Sequence, residues 1–146
     1  MIYLASDHRG FKLKEKIKQW LMEWGYQVED KGAHSYEAHD DFPDFVAQAA
    51  EKVSQDPANS KAIILGASGQ GEAMLANRYK GVRAAVYYGG PEEIITLSRK
   101  HNDANVLALG ASFLNEETAH RVIKRWLETP FSEDQRHKRR IKKMEQ

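Results

Sequence analysis

Five groups of residues carry types and spacing that could do chemistry. The first is Asp7-His8-Arg9-Gly10, where an acid, an imidazole and a guanidinium share one turn. Asp is a favoured helix cap, so Asp7 could also serve only to start a helix. The second is Gly66-Ala67-Ser68-Gly69-Gln70-Gly71-Glu72. Its glycines and small residues let backbone N–H groups close around a compact anion, and a helix start beyond them adds partial positive charge. The loop lacks the Gly-Lys-Ser/Thr end of a nucleotide-binding P-loop and is not a full dinucleotide fingerprint. Glu72 is out of place beside an anion cradle, because it repels what the cradle attracts. One reading makes it a first-turn carboxylate that complements the helix dipole. The other makes it a general base beside an oxyanion site, the pairing needed to remove a proton next to a carbonyl. The dipole is expected to favour its ionised form.

The third group, His101-Asn102-Asp103-Ala104-Asn105, follows a helix, where a histidine can simply neutralise the dipole. The fourth is the basic stretch Arg136-His137-Lys138-Arg139-Arg140-Ile141-Lys142-Lys143. On a helix, Arg136, Arg139, Arg140 and Lys143 share a face. Arg136 and Arg140, one turn apart, can converge on one phosphate. The fifth is negative: the six histidines, His8, His34, His39, His101, His120 and His137, show no spacing typical of a metal site, so no metal is expected.

These groups need a scaffold, and the apolar pattern supplies one. Ile2–Ala5, Lys61–Leu65, Val82–Tyr88 and Val106–Leu109 read as short buried strands, with a weaker one at Tyr26–Asp30. Between them lie amphipathic stretches. Leu13, Ile17, Trp20, Leu21 and Trp24 form one helical stripe with lysines between, stopped at Gly25. Further helices are predicted over Phe42–Val53, Glu72–Tyr79, Pro91–Lys100 and Glu116–Leu127, the last capped by Asn115. Residues 33–41 read as loop, and a final basic helix is predicted from Ser132 to the end of the chain. Strands without polar alternation are covered on both faces. The pattern therefore predicts an α/β three-layer sandwich, Rossmann-like, with about five mainly parallel strands. Ligands bind such sheets at the carboxyl ends of the strands, where the first two groups fall.

Composition narrows the function. The 146 residues fit one domain, 1–146, with 22 Lys+Arg against 21 Asp+Glu. A net charge of +1 gives no global field for nucleic acid or acidic lipid, and none is expected as a partner. The chain has no cysteine, which excludes a disulfide framework and a thiolate nucleophile. No apolar run approaches the ~18 residues of a membrane span. The start of the chain has no secretory pattern, so a cytoplasmic location is expected.

Taken in order along the chain, these motifs, with Ala76-Asn77-Arg78 and Ser98-Arg99-Lys100 alongside them, resemble the ribose-5-phosphate isomerase B family, which includes the galactose-6-phosphate isomerase subunits. The resemblance spans essentially the whole chain. The family has two styles. One carries a cysteine base at the position of Gly66. The other carries a loop serine with a glutamate four residues on, the pattern of Ser68 and Glu72 here. The resemblance implies a cofactor-free aldose–ketose isomerisation of a sugar phosphate through an enediolate, ribose 5-phosphate to ribulose 5-phosphate first. Glu72 would move the proton, and Ser68 with the amides of Gly66, Ala67, Gly69 and Gly71 would stabilise oxygen charge. His101, near Asp7, would open the sugar ring. His8, Arg136 and Arg140 would hold the phosphate, and Asn102 the sugar. It implies a homodimer or dimer of dimers with sites shared across subunits. Two stretches depart from the family: Ser112 stands where many members have arginine, and Phe42 and Phe45 where some have tyrosine. They leave open an isomerase of a hexose 6-phosphate. A non-catalytic phosphosugar-binding protein is the other alternative.

Overall fold

In the computed structural model, which describes residues 1–145, five parallel strands form one sheet in the order β2-β1-β3-β5-β4. They are β1 Ile2–Ser6, β2 Val28–Asp30, β3 Lys61–Gly66, β4 Ala84–Tyr87 and β5 Val106–Gly110. The helices are α1 Phe11–Glu23, α2 Pro43–Gln55, α3 Gln70–Ala76, α4 Glu93–Lys100, α5 Glu116–Glu128 and α6 Gln135–Met144, with a short 3-10 turn at Ala111–Phe113. This is the expected α/β sandwich.

Alternation along the strands divides the core in two. Leu4, Ile63, Leu65, Leu107 and Leu109 face Ile17 and Leu21 of α1, Ile95 of α4, and Val122, Ile123 and Trp126 of α5. Ala5, Ala62, Ile64, Val106 and Ala108 face Val46, Ala49, Ala50 and Val53 of α2 and Ala73 and Ala76 of α3. The small residues on the second face let α2 and α3 approach the sheet closely. Every one of these side chains is under 10% exposed, and full burial of a large aliphatic one contributes about 1.5–3 kcal/mol.

Several boundaries differ from the sequence reading, two helices most of all. Helix α3 begins at Gln70 and ends at Ala76, so Asn77–Tyr79 turn rather than continue. There Asn77 brackets β4, its amide donating to Ala84 O at 3.1 Å while its Oδ1 accepts from Ala84 N at 2.8 Å. Helix α6 starts at Gln135 because Asp134 caps it, its carboxylate accepting from Arg136 N at 2.8 Å. The helix ends at Met144; Gln146 lies outside the described residues. Asn115 caps α5 as expected, accepting from Thr118 N at 2.8 Å. Gly25 ends α1 at φ +87°, a conformation glycine adopts freely.

One burial runs against the lysine pattern of α1. Lys14 is fully buried and pairs with Asp30 Oδ2 of β2 at 2.6 Å. Burial alone would raise the Asp30 pKa. The Lys14 hydrogen bond, the Gly32 amide and the charges of Lys14 and Lys18 outweigh it and hold the carboxyl below its usual value.

Candidate active site

The carboxyl ends of β1, β3 and β5 bring the first two motifs together. Asp7 is buried and accepts from Arg9 N at 2.9 Å, so it shapes the turn before α1 rather than capping the helix, whose N-cap is Gly10. Gly69 turns the loop at φ +79° and starts α3. A β-carbon on Gly69 would lie 2.9 Å from the Leu109 carbonyl carbon, and one on Gly71 2.9 Å from the Phe42 ring. These glycines thus let the loop press against β5 and against Phe42. Ser68 Oγ accepts from Gln70 N at 3.3 Å.

Glu72 is the third residue of α3 and only 4% exposed. A β-carbon on Gly66 would fall 1.7 Å from its Oε1, so the carboxyl group occupies the space a side chain at 66 would fill. Its pKa is raised. Burial is the main cause, the backbone N–H of Glu72 itself opposes it, and the charge of Asp7 adds to it. The expectation that the helix dipole eases ionisation is therefore reversed in direction, because the group is shut away from water. A carboxyl group with a raised pKa is better matched to proton transfer at neutral pH than an ordinary glutamate.

His8 and Arg9 flank this pair. His8 lies beside Asp40, with Nδ1 2.7 Å from Oδ1, and its ring meets Tyr36 edge-on at 6.1 Å. Ligand-type atoms of Asp7, His8 and Asp40 lie within 4.8 Å of one another. Histidine spacing along the chain does not reveal this grouping, because Asp40 comes from a loop 32 residues on. The Arg9 guanidinium donates to Ser112 Oγ at 3.2 Å, and Ser112 N donates to Ala67 O at 3.1 Å. A guanidinium thus stands at position 112 after all, supplied by Arg9.

The remaining candidates lie elsewhere. His101 follows α4, which runs back to the amino ends of the strands. Within one chain His101 and Asp7 sit at opposite ends of the sheet, separated by the length of a five-residue strand, roughly 15 Å. That corrects the expectation that the two are neighbours: the parallel order sends every strand-to-helix turn to one end and every helix-to-strand turn to the other. The turn bearing His101 and Asn102 is held by two arginines. Arg83 Nε donates to Asn102 O at 3.0 Å, and Arg99 Nη1 to Ala104 O at 2.7 Å and Asp103 Oδ1 at 2.8 Å. Sequence reading gave neither a role: Arg99 entered only within the Ser98-Arg99-Lys100 stretch of the resemblance, and Arg83 only within the apolar stretch read as a strand.

Helix α6 packs at this same end. Ser132 N donates to Lys100 O at 3.2 Å, and the His137 ring lies 4.3 Å from that of His101. Burial and the neighbouring His101 hold His137 below the usual histidine range. Arg136 is engaged by Asp134, with Nε 3.2 Å from Oδ1, and Arg140 is exposed. A cavity of about 590 Å³ opens between the Asn77–Ala85 stretch, Asn102 and the end of α6, lined among others by Arg78, Arg83 and Glu145; Arg136 and Arg140 do not line it. One chain therefore carries two separated groups of candidate residues: acids, His8 and the glycine loop at one end, His101, Asn102 and the basic helix at the other.

Comparison with known proteins places the chain in a family. Residues 2–144 match the family model described as Ribose/Galactose Isomerase. The chain is 40% identical over 140 residues to ribose-5-phosphate isomerase B of Mycolicibacterium paratuberculosis, covering 96% of this chain and 86% of that one. It superposes on ribose-5-phosphate isomerase B of Mycoplasma genitalium with bound ribulose-5-phosphate at a TM-score of 0.94, with 35% identity over 99% of this chain and 93% of that one. The corresponding isomerase of Thermotoga maritima gives a TM-score of 0.89 and 38% identity, over 99% and 96% of the two chains. Among the described residues no helix is long and apolar enough to cross a membrane. With likeness of sequence and of fold running nearly end to end, the chain belongs to the Ribose/Galactose Isomerase family and is a sugar-phosphate isomerase.

Proposed function

We propose that the whole chain acts as one cytoplasmic isomerase domain that interconverts ribose 5-phosphate and ribulose 5-phosphate through an enediolate, with neither cofactor nor metal. The observation that carries the reading is the Glu72 carboxyl group, buried against Gly66 and raised in pKa beside a loop of small residues. Glu72 takes the proton from C2 of the open-chain aldose and returns it to C1. Electrons pass through the C1–C2 double bond, and one proton moves from the C2 hydroxyl to the C1 oxygen, so the reaction balances without an added reagent. Ser68 and the loop amides of Gly66, Ala67, Gly69 and Gly71 stabilise the enediolate oxygens.

The two half-sites complete each other in a homodimer, alone or paired into a dimer of dimers. His8 and Arg9 of one subunit meet the phosphate together with Arg136 and Arg140 of the other. Asp7 faces the other subunit's His101, which opens the furanose ring, and Asn102 holds the sugar. The relative from Mycoplasma genitalium with bound ribulose-5-phosphate supports the choice of a pentose phosphate.

The test is a panel of aldose phosphates, pentose and hexose, incubated in deuterium oxide after exhaustive EDTA treatment. Ribose 5-phosphate should give ribulose 5-phosphate with deuterium incorporated from solvent. Preference for a hexose 6-phosphate would change the substrate. Binding without exchange would make the protein a phosphosugar receptor, and activity lost to EDTA and restored by a divalent ion would refute the metal-free mechanism.

A further inference from the structure

The loop before α2 contributes one acid that the isomerisation does not use. Asp40 is 9% exposed, and its Oδ1 lies 2.9 Å from the backbone N of His8 and 2.7 Å from Nδ1 of the same residue. One carboxylate oxygen thus receives both the main chain and the ring of a residue 32 positions away. Its other oxygen, Oδ2, is buried and has no partner among the described residues. A buried acceptor left unpaired is costly to keep, so the carboxylate is retained for what Oδ1 does.

An ionised carboxylate only accepts hydrogen bonds. The ring nitrogen facing it must therefore carry the proton. In a neutral imidazole that leaves Nε2 without one, and in the doubly protonated ring it leaves the Nε2 proton as the only one on offer. Nε2 has no hydrogen-bond partner among the described residues. Tyr36 meets the ring at an interplanar angle of 89° and limits its rotation.

We infer that Asp40 is a positioning residue for His8: it holds the ring by Nδ1, so that in the doubly protonated ring the Nε2 proton is the one turned to the substrate's phosphate. The kinetic part rests on the proposed phosphate role of His8; the tautomer part does not.

The first measurement uses the wild-type protein with ¹⁵N-labelled histidine, His8 being assigned by its absence in His8→Gln. At a pH of about 8.5, above the ordinary histidine range, the His8 ring should be the Nδ1–H tautomer. Finding Nε2–H there overturns the inference. The second compares Asp40→Ala with Asp40→Asn. Without the Asp40 carboxylate the His8 ring is no longer held by Nδ1, so Asp40→Ala should raise KM for ribose 5-phosphate by about tenfold while kcat stays within about twofold. Asp40→Asn keeps an acceptor oxygen and should recover most of that affinity. Equal loss in both variants, or a fall in kcat with KM unchanged, overturns the inference. A wild-type protein that isomerises no sugar phosphate would refute the proposed reaction, and the tautomer result would still decide the role of Asp40.

Discussion

Gly66 and Glu72 share one space: a β-carbon on the first would lie 1.7 Å from a carboxylate oxygen of the second. A side chain at 66 and a carboxyl group in its present place are mutually exclusive. The backbone of Gly66 is not in the left-handed region, so alanine there is opposed by contact alone. Gly66→Ala should displace the carboxyl group and lower kcat by about 10²-fold or more, the usual worth of a positioned base. KM should change little and the circular dichroism spectrum should stay native. Full turnover in Gly66→Ala would show that Glu72 need not sit where it does.

Glu72→Gln separates basicity from shape. It should lower kcat by at least about 10²-fold and abolish exchange of the C2 hydrogen with solvent. Substrate binding should hold or tighten, since a negative charge near the phosphosugar is removed. Retained exchange would send the search for the base to Asp7 or His101.

The raised pKa of Glu72 has two signs to check. For catalysis, the base is lost as pH falls through the raised value, so the acid limb of kcat/KM should lie above the ordinary glutamate range. For stability, the folded chain holds this proton more readily than the unfolded one. That contribution is full below the ordinary glutamate pKa and is lost as pH rises through the raised one. At pH about 7, Glu72→Gln should therefore melt at a higher temperature than the wild type, and the gap should close below pH about 4. Thermal melts at the two pH values decide it.

The half-sites at opposite ends of the sheet allow a complementation test. Glu72→Gln and Arg140→Ala each spoil one half. If sites are shared, mixing the two inactive proteins and letting subunits exchange should restore about a quarter of wild-type activity, because one site in four then combines intact halves. A site confined to one chain would recover nothing.

Arg9 and Ser112 offer a fifth comparison. Arg9→Ala should raise KM about tenfold, as one charge-assisted contact to phosphate is lost. Adding Ser112→Arg to that variant should restore affinity, because the guanidinium returns from the other side of the same gap. An unchanged KM in Arg9→Ala would leave the 3.2 Å contact to Ser112 as surface packing only.

The strands and most of the helices were legible in the sequence because both read out local apolar spacing. KAIIL becomes β3, and the Leu13–Trp24 stripe becomes α1. The loop from Gly66 to Glu72 was legible too, as small residues between strand and helix. What escaped was long-range. Lys14 has the sequence look of a solvated lysine, yet Asp30 of a neighbouring strand buries it. Asp40 lies in a stretch with no periodicity, and only folding brings it to His8. The separation of His101 from Asp7 follows from strand direction, which apolar spacing does not encode.

Helix α6 also bears on how the molecule comes apart. Of its ten residues only His137 is buried, and neither core cluster includes any residue beyond Leu127. The apolar interior is therefore complete without it, and the helix rests on that surface through Ser132, His137 and the Arg83–Glu145 ion pair of 2.8 Å. An element held by so few buried contacts belongs to the low-stability end of a fold, where local opening exposes little apolar surface to water.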